Sequence, residues 1–176
     1  MSIKRDGSYP RAGSLMAKKY VVSLALALGL TFTIATTFAQ SPHTLVPADK
    51  VQWGPAPPVL PAGAQISVLE GNPSEKGAVT LRLRFPAKYN IPAHWHSMTE
   101  RLTVLSGALH VGMGDKLDRQ TSQTLGPGGF VSLPANMHHF AWTDNPTVVQ
   151  INLEGPFDIF YVNPADDPQK RQTTRR

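Results

Sequence analysis

Alternating apolar and polar residues are the main structural signal in this chain. In AVTLRLRF, residues 78–85, the side chains of Val79, Leu81, Leu83 and Phe85 would all face one way, as in a β-strand with one buried face. Similar short runs, separated by turn residues, occur elsewhere in the chain: residues 64–71, 101–107, 108–114, 130–134, 139–142, 147–155 and 155–162. No amphipathic run after residue 40 reaches the roughly 10 residues expected of a helix. The sequence therefore predicts an all-β sandwich or barrel.

Two of these runs meet at a glycine. RLTVLSG, residues 101–107, is followed directly by ALHVGMG, residues 108–114. Two strand-like runs joined at a glycine turn are typical of a β-hairpin, in which both strands pair within one sheet. We therefore expect these two runs to pair with each other.

Segments of different composition flank the strand-rich domain, residues 64–163. Residues 40–63 are rich in proline, which lacks a main-chain N–H and disfavours helix. They predict an extended N-terminal arm with an edge strand near residues 51–53. Residues 164–176 have almost no apolar side chains and predict a flexible basic tail. The length suits a single domain with these two extensions.

Residues 1–39 have the pattern of a secretory signal peptide. A lysine pair precedes an apolar run from Val21 to Ala35, and small residues stand just before Gln40. We therefore predict cleavage before Gln40 and a periplasmic or secreted protein. The alternative is an N-terminal membrane anchor, although the run is shorter than the roughly 20 apolar residues of a spanning helix. Met16 is an alternative start of the leader.

Removal of this leader changes the charge of the chain. The full sequence holds 17 basic and 12 acidic residues, but five of the basic residues and one acid lie in the leader, which leaves 12 against 11. Four of the remaining bases lie in the last seven residues. The folded body therefore offers no basic face for nucleic acid. The chain has no cysteine, which excludes disulfides, thiolate metal sites and cysteine nucleophiles.

Two histidines stand at i and i+2 in a stretch that predicts a strand. His94 and His96 flank Trp95, and Glu100 follows four positions after the second histidine. Alternate residues of a strand project from one face. Both imidazoles could therefore reach one metal ion while Trp95 points away, and Glu100 could add an oxygen ligand. Taken alone, the pair is equally compatible with partly exposed histidines at a strand end.

A second histidine pair, His138 and His139, lies on another predicted strand, within FVSLPANMHHF. The Gly-Pro-Gly-Gly turn before it, residues 126–129, can bring this strand back beside the first pair. Together the two clusters resemble the two signatures of the cupin superfamily. Both signatures occur in order, at these positions: His94, His96, Glu100 and Gly107, then Gly128, Pro134 and His139.

The resemblance to cupins covers about residues 64–162 and implies a single-domain jelly-roll barrel. It also implies one metal ion held by His94, His96, Glu100 and His139. The loops depart from the family pattern at three positions, where glycine, glycine and asparagine are expected: Lys88, Asn136 and Thr143. None of these three is a metal ligand in the family pattern, so the departures concern the loops and not the site.

The family spacing implies His139, and not His138, as the fourth ligand. Strand parity agrees, because His139 shares its face with the small Ala141, which leaves room for a ligand. We expect His138 to lie at the rim of the site, or next to the metal ligands without binding the metal itself. His110 is expected at the surface, and His43, in the arm, is given no role.

Three imidazoles and one carboxylate suit a divalent first-row metal with one or two open positions, but do not select among Fe, Mn, Cu, Ni and Zn. The resemblance implies a metal-dependent oxidoreductase, dioxygenase-like, acting on a small oxygen-bearing molecule. Two alternatives stay open: a metal-dependent isomerase or lyase for a sugar or organic acid, and a non-catalytic metal- or ligand-binding module. The expected partners are a small-molecule substrate and, because cupins often pair, a second copy of the chain. No nucleic-acid partner is expected, and no membrane once the leader is removed.

Overall fold

Two antiparallel β-sheets form the body of the protein in the computed structural model, which describes residues 43–173. In pairing order, the first sheet contains β1 (Gly54–Pro55), β2 (Gln65–Glu70), β3 (Gly77–Phe85), β10 (Thr147–Gly155), β5 (Glu100–Ser106) and β8 (Phe130–Leu133). The second contains β11 (Phe160–Tyr161), β4 (Asn90–Trp95), β9 (His139–Trp142), β6 (Leu109–Met113) and β7 (Gln123–Leu125). The all-β prediction is therefore confirmed.

Apolar side chains from both sheets enclose one core. The alternation in β3 places Leu81, with 0% of its surface exposed, on the inner face. Leu109 of β6, 1% exposed, belongs to the same buried cluster from the opposite sheet. The polar residues of β3 lie on the other face, where Arg82 Nε donates to Gln150 Oε1 of β10 at 3.1 Å. Strand β3 thus buries one face, as its sequence period requires.

The predicted hairpin between residues 101–107 and 108–114 is wrong. Strand β5 pairs with β8 and β10 in the first sheet, whereas β6 pairs with β7 and β9 in the second. The chain crosses between the sheets at Gly107, whose φ of 76° is a left-handed conformation. A Cβ at Gly107 would lie 2.4 Å from the carbonyl oxygen of Pro146. The glycine therefore permits a sheet crossing, which has the same sequence signal as a hairpin turn.

The arm packs against the barrel of its own chain. Strand β1 of the arm pairs with β2, slightly later than the edge strand expected at residues 51–53. Two tyrosine hydroxyls hold the arm by donating to its carbonyls: Tyr161 to Val59 at 2.8 Å, and Tyr89 to Pro61. Leu60, between these two anchors, is 4% exposed and belongs to the core.

Helical turns follow the last strand. A short 3₁₀ turn, Pro164–Asp166, and a helix, α1 (Pro168–Thr173), occupy the segment that the sequence predicts as a basic tail. The predicted signal peptide lies outside the described residues. Within residues 43–173, no helix is both long enough and apolar enough to span a membrane.

Two loop residues adopt backbone conformations that favour glycine. Lys88 has a φ of 58° and Asn136 a φ of 64°, and they are the non-glycine residues with positive φ in the described part of the chain. Both occupy positions where the cupin signatures have glycine. The loops thus keep the backbone conformation of the family pattern although the residue type differs. Asparagine tolerates this region better than most residues, and lysine carries the full steric cost.

We predict that glycine is favoured over alanine at position 88. Alanine keeps the Cβ that clashes at positive φ, which costs roughly 1–2 kcal/mol of stability. Glycine removes this clash, but its greater freedom in the unfolded state lowers the free energy of unfolding by about 0.4–1 kcal/mol. Lys88→Gly should therefore have a free energy of unfolding about 1 kcal/mol above that of Lys88→Ala. Urea denaturation of both variants measures the difference.

The matched control is the same pair of substitutions at Lys76, an exposed turn residue whose φ is not positive. There glycine should be the less stable variant, because only the unfolded-state effect remains. Equal stabilities of the glycine and alanine variants at position 88 would show that the loop carries no strain.

Candidate metal centre

Three buried histidines come together between the two sheets. His94, near the end of β4, is the register partner of His139, the first residue of the neighbouring strand β9. With His96 they form a cluster whose potential ligand atoms all lie within 4.8 Å of one another. Each side chain is at most 4% exposed. The structure thus brings together, from two neighbouring strands and the loop after β4, the imidazoles that the sequence analysis identified.

His96 reaches the cluster from a loop and not from a strand. Strand β4 ends at Trp95, so the simple i and i+2 parity of one strand does not describe the pair. The register of β4 against β9 also shifts between Ile91 and His94. Trp95 stacks on Phe160 of β11, with ring centroids 4.3 Å apart, and does not line the site.

The hydrogen bonds of the imidazoles determine their tautomers. Each Nδ1 bonds to a main-chain carbonyl: His94 to Pro92 at 2.8 Å, His139 to Met137 at 2.9 Å, and His96 to Asp158. A carbonyl oxygen only accepts hydrogen bonds, so each Nδ1 must carry the proton. The lone pair of each neutral imidazole is then on Nε2, which is the arrangement of a metal-binding histidine.

Glu100, the first residue of β5, places a carboxylate beside these nitrogens. Its Oε2 lies 3.6 Å from His96 Nε2 and 3.9 Å from His139 Nε2. The side chain is buried, and burial raises the pKa of this carboxyl. An anion in such a position needs a compensating positive charge.

The chemistry of the donors fits a divalent metal ion. His96 Nε2 is fully buried and has no hydrogen-bond partner. Among the described residues, no other buried side-chain nitrogen or oxygen lacks one. Leaving such an atom unsatisfied costs about 1–3 kcal/mol. A cation bound by the three Nε2 atoms and Glu100 would satisfy this lone pair and neutralise the carboxylate. These four residues would hold the ion.

Burial also keeps the imidazoles of His94 and His139 neutral. Loss of solvation, reinforced by the neighbouring imidazoles of His139 and His96, lowers the pKa of His94 well below 6.5. Loss of solvation is also the main reason that the pKa of His139 falls to about 4. Since only the neutral form binds a metal, the site is ready for binding throughout the neutral pH range.

An apolar cavity of about 30 Å³ surrounds the cluster. Apart from the three histidines and Glu100, the described residues that line it are all apolar, and they include Leu60, Phe85, Val111, Leu133, Phe157 and Ile159. The free volume suits an ion with one or two small ligands, since a single water needs at least about 10–15 Å³. Apart from the candidate ligands, the lining provides no acid, base or hydroxyl group.

The remaining histidines lie elsewhere. His138 has an exposed imidazole, and its Nδ1 bonds to Asp115 Oδ1 at 2.7 Å, outside the cluster. His43 is exposed. His110 lies on the face of β6 opposite the buried Leu109 and Val111, as expected for a residue outside the core, but its side chain is only 15% exposed because it stacks on Trp142, with ring centroids 3.7 Å apart.

Sequence reasoning missed residues of the arm and of the segment after β10 that line or support the site. Leu60 of the arm and Phe157, just after β10, both line the cavity. Asp158 accepts the hydrogen bond of His96. The run 155–162 predicted one continuous strand, but only residues 160 and 161 pair as β11. No local pattern marks these residues, because their contacts are with elements far away in sequence.

Sequence comparison identifies one matching protein family. The family model described as "Domain of unknown function (DUF4437)" matches residues 44–170. No curated protein matches the sequence at a significant level.

Several solved structures are similar to this chain. A candidate acetylacetone dioxygenase from Methylibium petroleiphilum PM1 superposes with a TM-score of 0.56 at 20% identity, over 77% of this chain and 95% of that one. The polyketide cyclase RemF from Streptomyces resistomycificus gives 0.54 at 16% identity, over 75% and 94%. An RmlC-like cupin from Shewanella frigidimarina gives 0.50 at 16% identity, over 65% and 92%. At these identities the similarity concerns the fold alone.

We predict that His139 binds the metal and that His138 does not. Removing a ligand should cost more than the roughly 10–100-fold loss typical of an outer hydrogen-bond partner, so His139→Ala should lower Zn²⁺ affinity by more than about 100-fold. Glu100→Ala should weaken binding less, because three nitrogens remain. Isothermal titration of the metal-free proteins measures each affinity.

His138→Ala is the matched control, since it removes an adjacent imidazole that lies outside the cluster. It should bind Zn²⁺ like the unaltered protein. If His138→Ala loses the metal while His139→Ala keeps it, the ligand assignment is one residue out of register.

We also predict that the metal-free protein loses stability as the pH falls from 6.5 towards 4. In this window the unfolded chain protonates His94 and His139 while the native state keeps them neutral. The unfolded state therefore binds more protons, and the free energy of unfolding decreases as the pH decreases. The raised pKa of Glu100 acts in the opposite direction and offsets part of this loss.

Thermal melts in the presence of a chelator, at intervals between pH 7 and 4.5, would show this as a declining Tm. His139→Ala should decline less steeply, because one of the two sites of extra proton uptake is gone. A Tm that stays constant through the window would contradict the buried, neutral state of these imidazoles.

Proposed function

The chain belongs to the DUF4437 family and has the cupin fold, and from this premise we propose that it is a metal-dependent oxidoreductase of the dioxygenase type. The observation that carries the proposal is the pairing of a complete set of metal ligands with an apolar cavity. Three Nε2 lone pairs and the carboxylate of Glu100 converge there. The substrate class is a small molecule with an apolar body and an oxygen atom that can approach the metal.

The protein supplies position, charge and exclusion of water. The main-chain carbonyls hold each imidazole with Nε2 facing the site. Glu100 offers one negative charge, which leaves a divalent ion with a net positive charge towards a substrate oxygen. The apolar walls keep bulk water from the reacting groups. A redox-active metal held here would supply Lewis acidity and electron transfer with dioxygen.

The composition of the cavity favours oxidation over isomerase or lyase chemistry. Isomerases and lyases move protons on the substrate and need a positioned acid or base. In the part of the chain that the structure describes, the cavity lining offers none besides the candidate ligands. A sugar or a polar organic acid would also leave its hydroxyl groups without partners against these walls. Dioxygen and an apolar substrate body meet neither difficulty.

The similar structures agree with this range of chemistry without selecting one reaction. Two of them are named as a candidate dioxygenase and a cyclase. Acetylacetone, the compound named with the Methylibium petroleiphilum protein, is small, largely apolar and carries two oxygens. It therefore makes a suitable probe for the site.

We further propose that the protein acts outside the cytoplasm and forms a homodimer. The leader pattern of residues 1–39 supports export. Dimer formation is supported by the common pairing of cupins and by exposed apolar side chains such as Phe130 and Leu45, which are 57% and 73% exposed. The arm between Trp53 and Gly63 already packs on its own barrel, so its contribution to a dimer would come from the residues before Trp53.

The deciding experiment combines metal analysis with dioxygen uptake. Protein isolated from its native exported location should begin at Gln40 by mass spectrometry and carry about one redox-active ion per chain. With acetylacetone present, this holoprotein should consume dioxygen in an oxygen-electrode assay. His96→Ala should lose both the metal and the uptake, because its Nε2 is one of the converging donors.

His138→Ala is again the control and should keep both the metal and the uptake. Native protein that carries only Zn²⁺ would overturn the proposed oxidative function and would favour a lyase or isomerase activity. A stoichiometric redox metal without any dioxygen uptake across a panel of small diketones would favour the non-catalytic binding module.

A further inference from the structure

One of the three imidazoles is held by a distant part of the chain. The Nδ1 atoms of His94 and His139 bond to carbonyls only two residues earlier, at Pro92 and Met137. His96 instead bonds to the carbonyl of Asp158, which lies 62 residues away in sequence. Strand pairing does not hold His96 either, because it follows the end of β4.

The loop that carries His96 is fixed by a few named contacts. Ser97 donates its main-chain N–H to Asp158 Oδ1 at 2.9 Å and its hydroxyl to Asp158 Oδ2. The His96 carbonyl accepts from the N–H of Asn136 at 2.8 Å. Both carboxylate oxygens of Asp158 therefore hold Ser97, while the main-chain carbonyl of the same residue orients the neighbouring imidazole.

Asp158 is itself part of a well-anchored segment. The N–H of Phe157 donates to the carbonyl of Pro73 at 2.7 Å. The ring of Phe157 stacks against the imidazole of His96, with centroids 5.9 Å apart and an interplanar angle of 28°. On the other side Ile159 is buried in the core. Because this segment is itself held in place, Asp158 can fix the position of the loop that carries His96.

We propose that Asp158 is a positioning residue of the metal centre, which sets the orientation of His96 through Ser97 and through its own carbonyl. This inference rests on the proposed metal site. When the carboxylate holds Ser97, the loop is close enough for His96 Nδ1 to reach the Asp158 carbonyl. Without the carboxylate, the loop loses both contacts to Ser97, and the orientation of the His96 imidazole is less well defined.

The test is a Co²⁺ titration of the metal-free protein and its variants, followed by visible absorption. Asp158→Ala should raise the dissociation constant by about 10–100-fold, the range typical of outer hydrogen-bond partners of ligating histidines. Its absorption bands should also change, because the His96 nitrogen is less well oriented towards the ion. Asp158→Asn should rescue part of the affinity, since its amide oxygen can still accept from the N–H of Ser97. Ser97→Ala should have a smaller effect, because only the hydroxyl is removed.

Asp118→Ala is the matched control. Asp118 is also a loop aspartate whose carboxylate accepts a main-chain N–H, that of Gln120 at 2.9 Å, but it does not contact the cluster. Its dissociation constant and absorption bands should equal those of the unaltered protein. Thermal melts of all the metal-free proteins separate loss of folding from loss of positioning.

A dissociation constant for Asp158→Ala within about twofold of the unaltered value, with the same absorption bands, would overturn the inference even if the melting temperature falls. If Asp158→Ala does not fold, unchanged Co²⁺ binding by both Asp158→Asn and Ser97→Ala overturns it equally. Unaltered protein that binds no Co²⁺ would instead overturn the metal site, and with it this inference, so the two failures are distinguishable.

Discussion

Burial of three neutral imidazoles and one carboxylate in an apolar barrel is the constraint on which the rest of the structure depends. Desolvation penalises the charged forms of His94, His139 and Glu100. It lowers the pKa values of His94 and His139 and raises that of Glu100. It also leaves His96 Nε2 without a partner. A divalent cation bound here would offset all of these costs at once, because it would bind the lone pairs and balance the negative charge. Such binding would explain why a polar cluster can occupy the interior of a small domain.

The surrounding fold holds the cluster by contacts of two different ranges. His94 and His139 are fixed by the ladder between β4 and β9 and by carbonyls two residues away. These contacts form as soon as the two strands pair. His96 depends on the segment after β10, which reaches the site only when the whole barrel has closed. A complete set of ligands is therefore a property of the finished tertiary structure.

Much of the fold follows from local sequence, because a half-buried strand needs one apolar face. The run 78–85 alternates cleanly and forms β3 with its predicted inner face. The same reasoning fails where strands must be assigned to sheets. The residues on either side of Gly107 look like a hairpin, but this turn carries the chain from one sheet to the other. Strand β7 was not predicted either, since its three residues are too short for a period to show.

The sequence by itself determined the residue types of the site and their spacing, and with them the match to the cupin signatures. It showed departures from the family pattern at Lys88 and Asn136, and only the structure revealed that both keep the positive φ that favours glycine. Only the tertiary structure decided that His110 packs on Trp142, that Leu60 closes the cavity, and that Asp158 holds His96. The physical reason is that side-chain periodicity and turn chemistry act between neighbours in sequence. Burial and hydrogen bonding at the site act between residues that become neighbours only when the two sheets pack together.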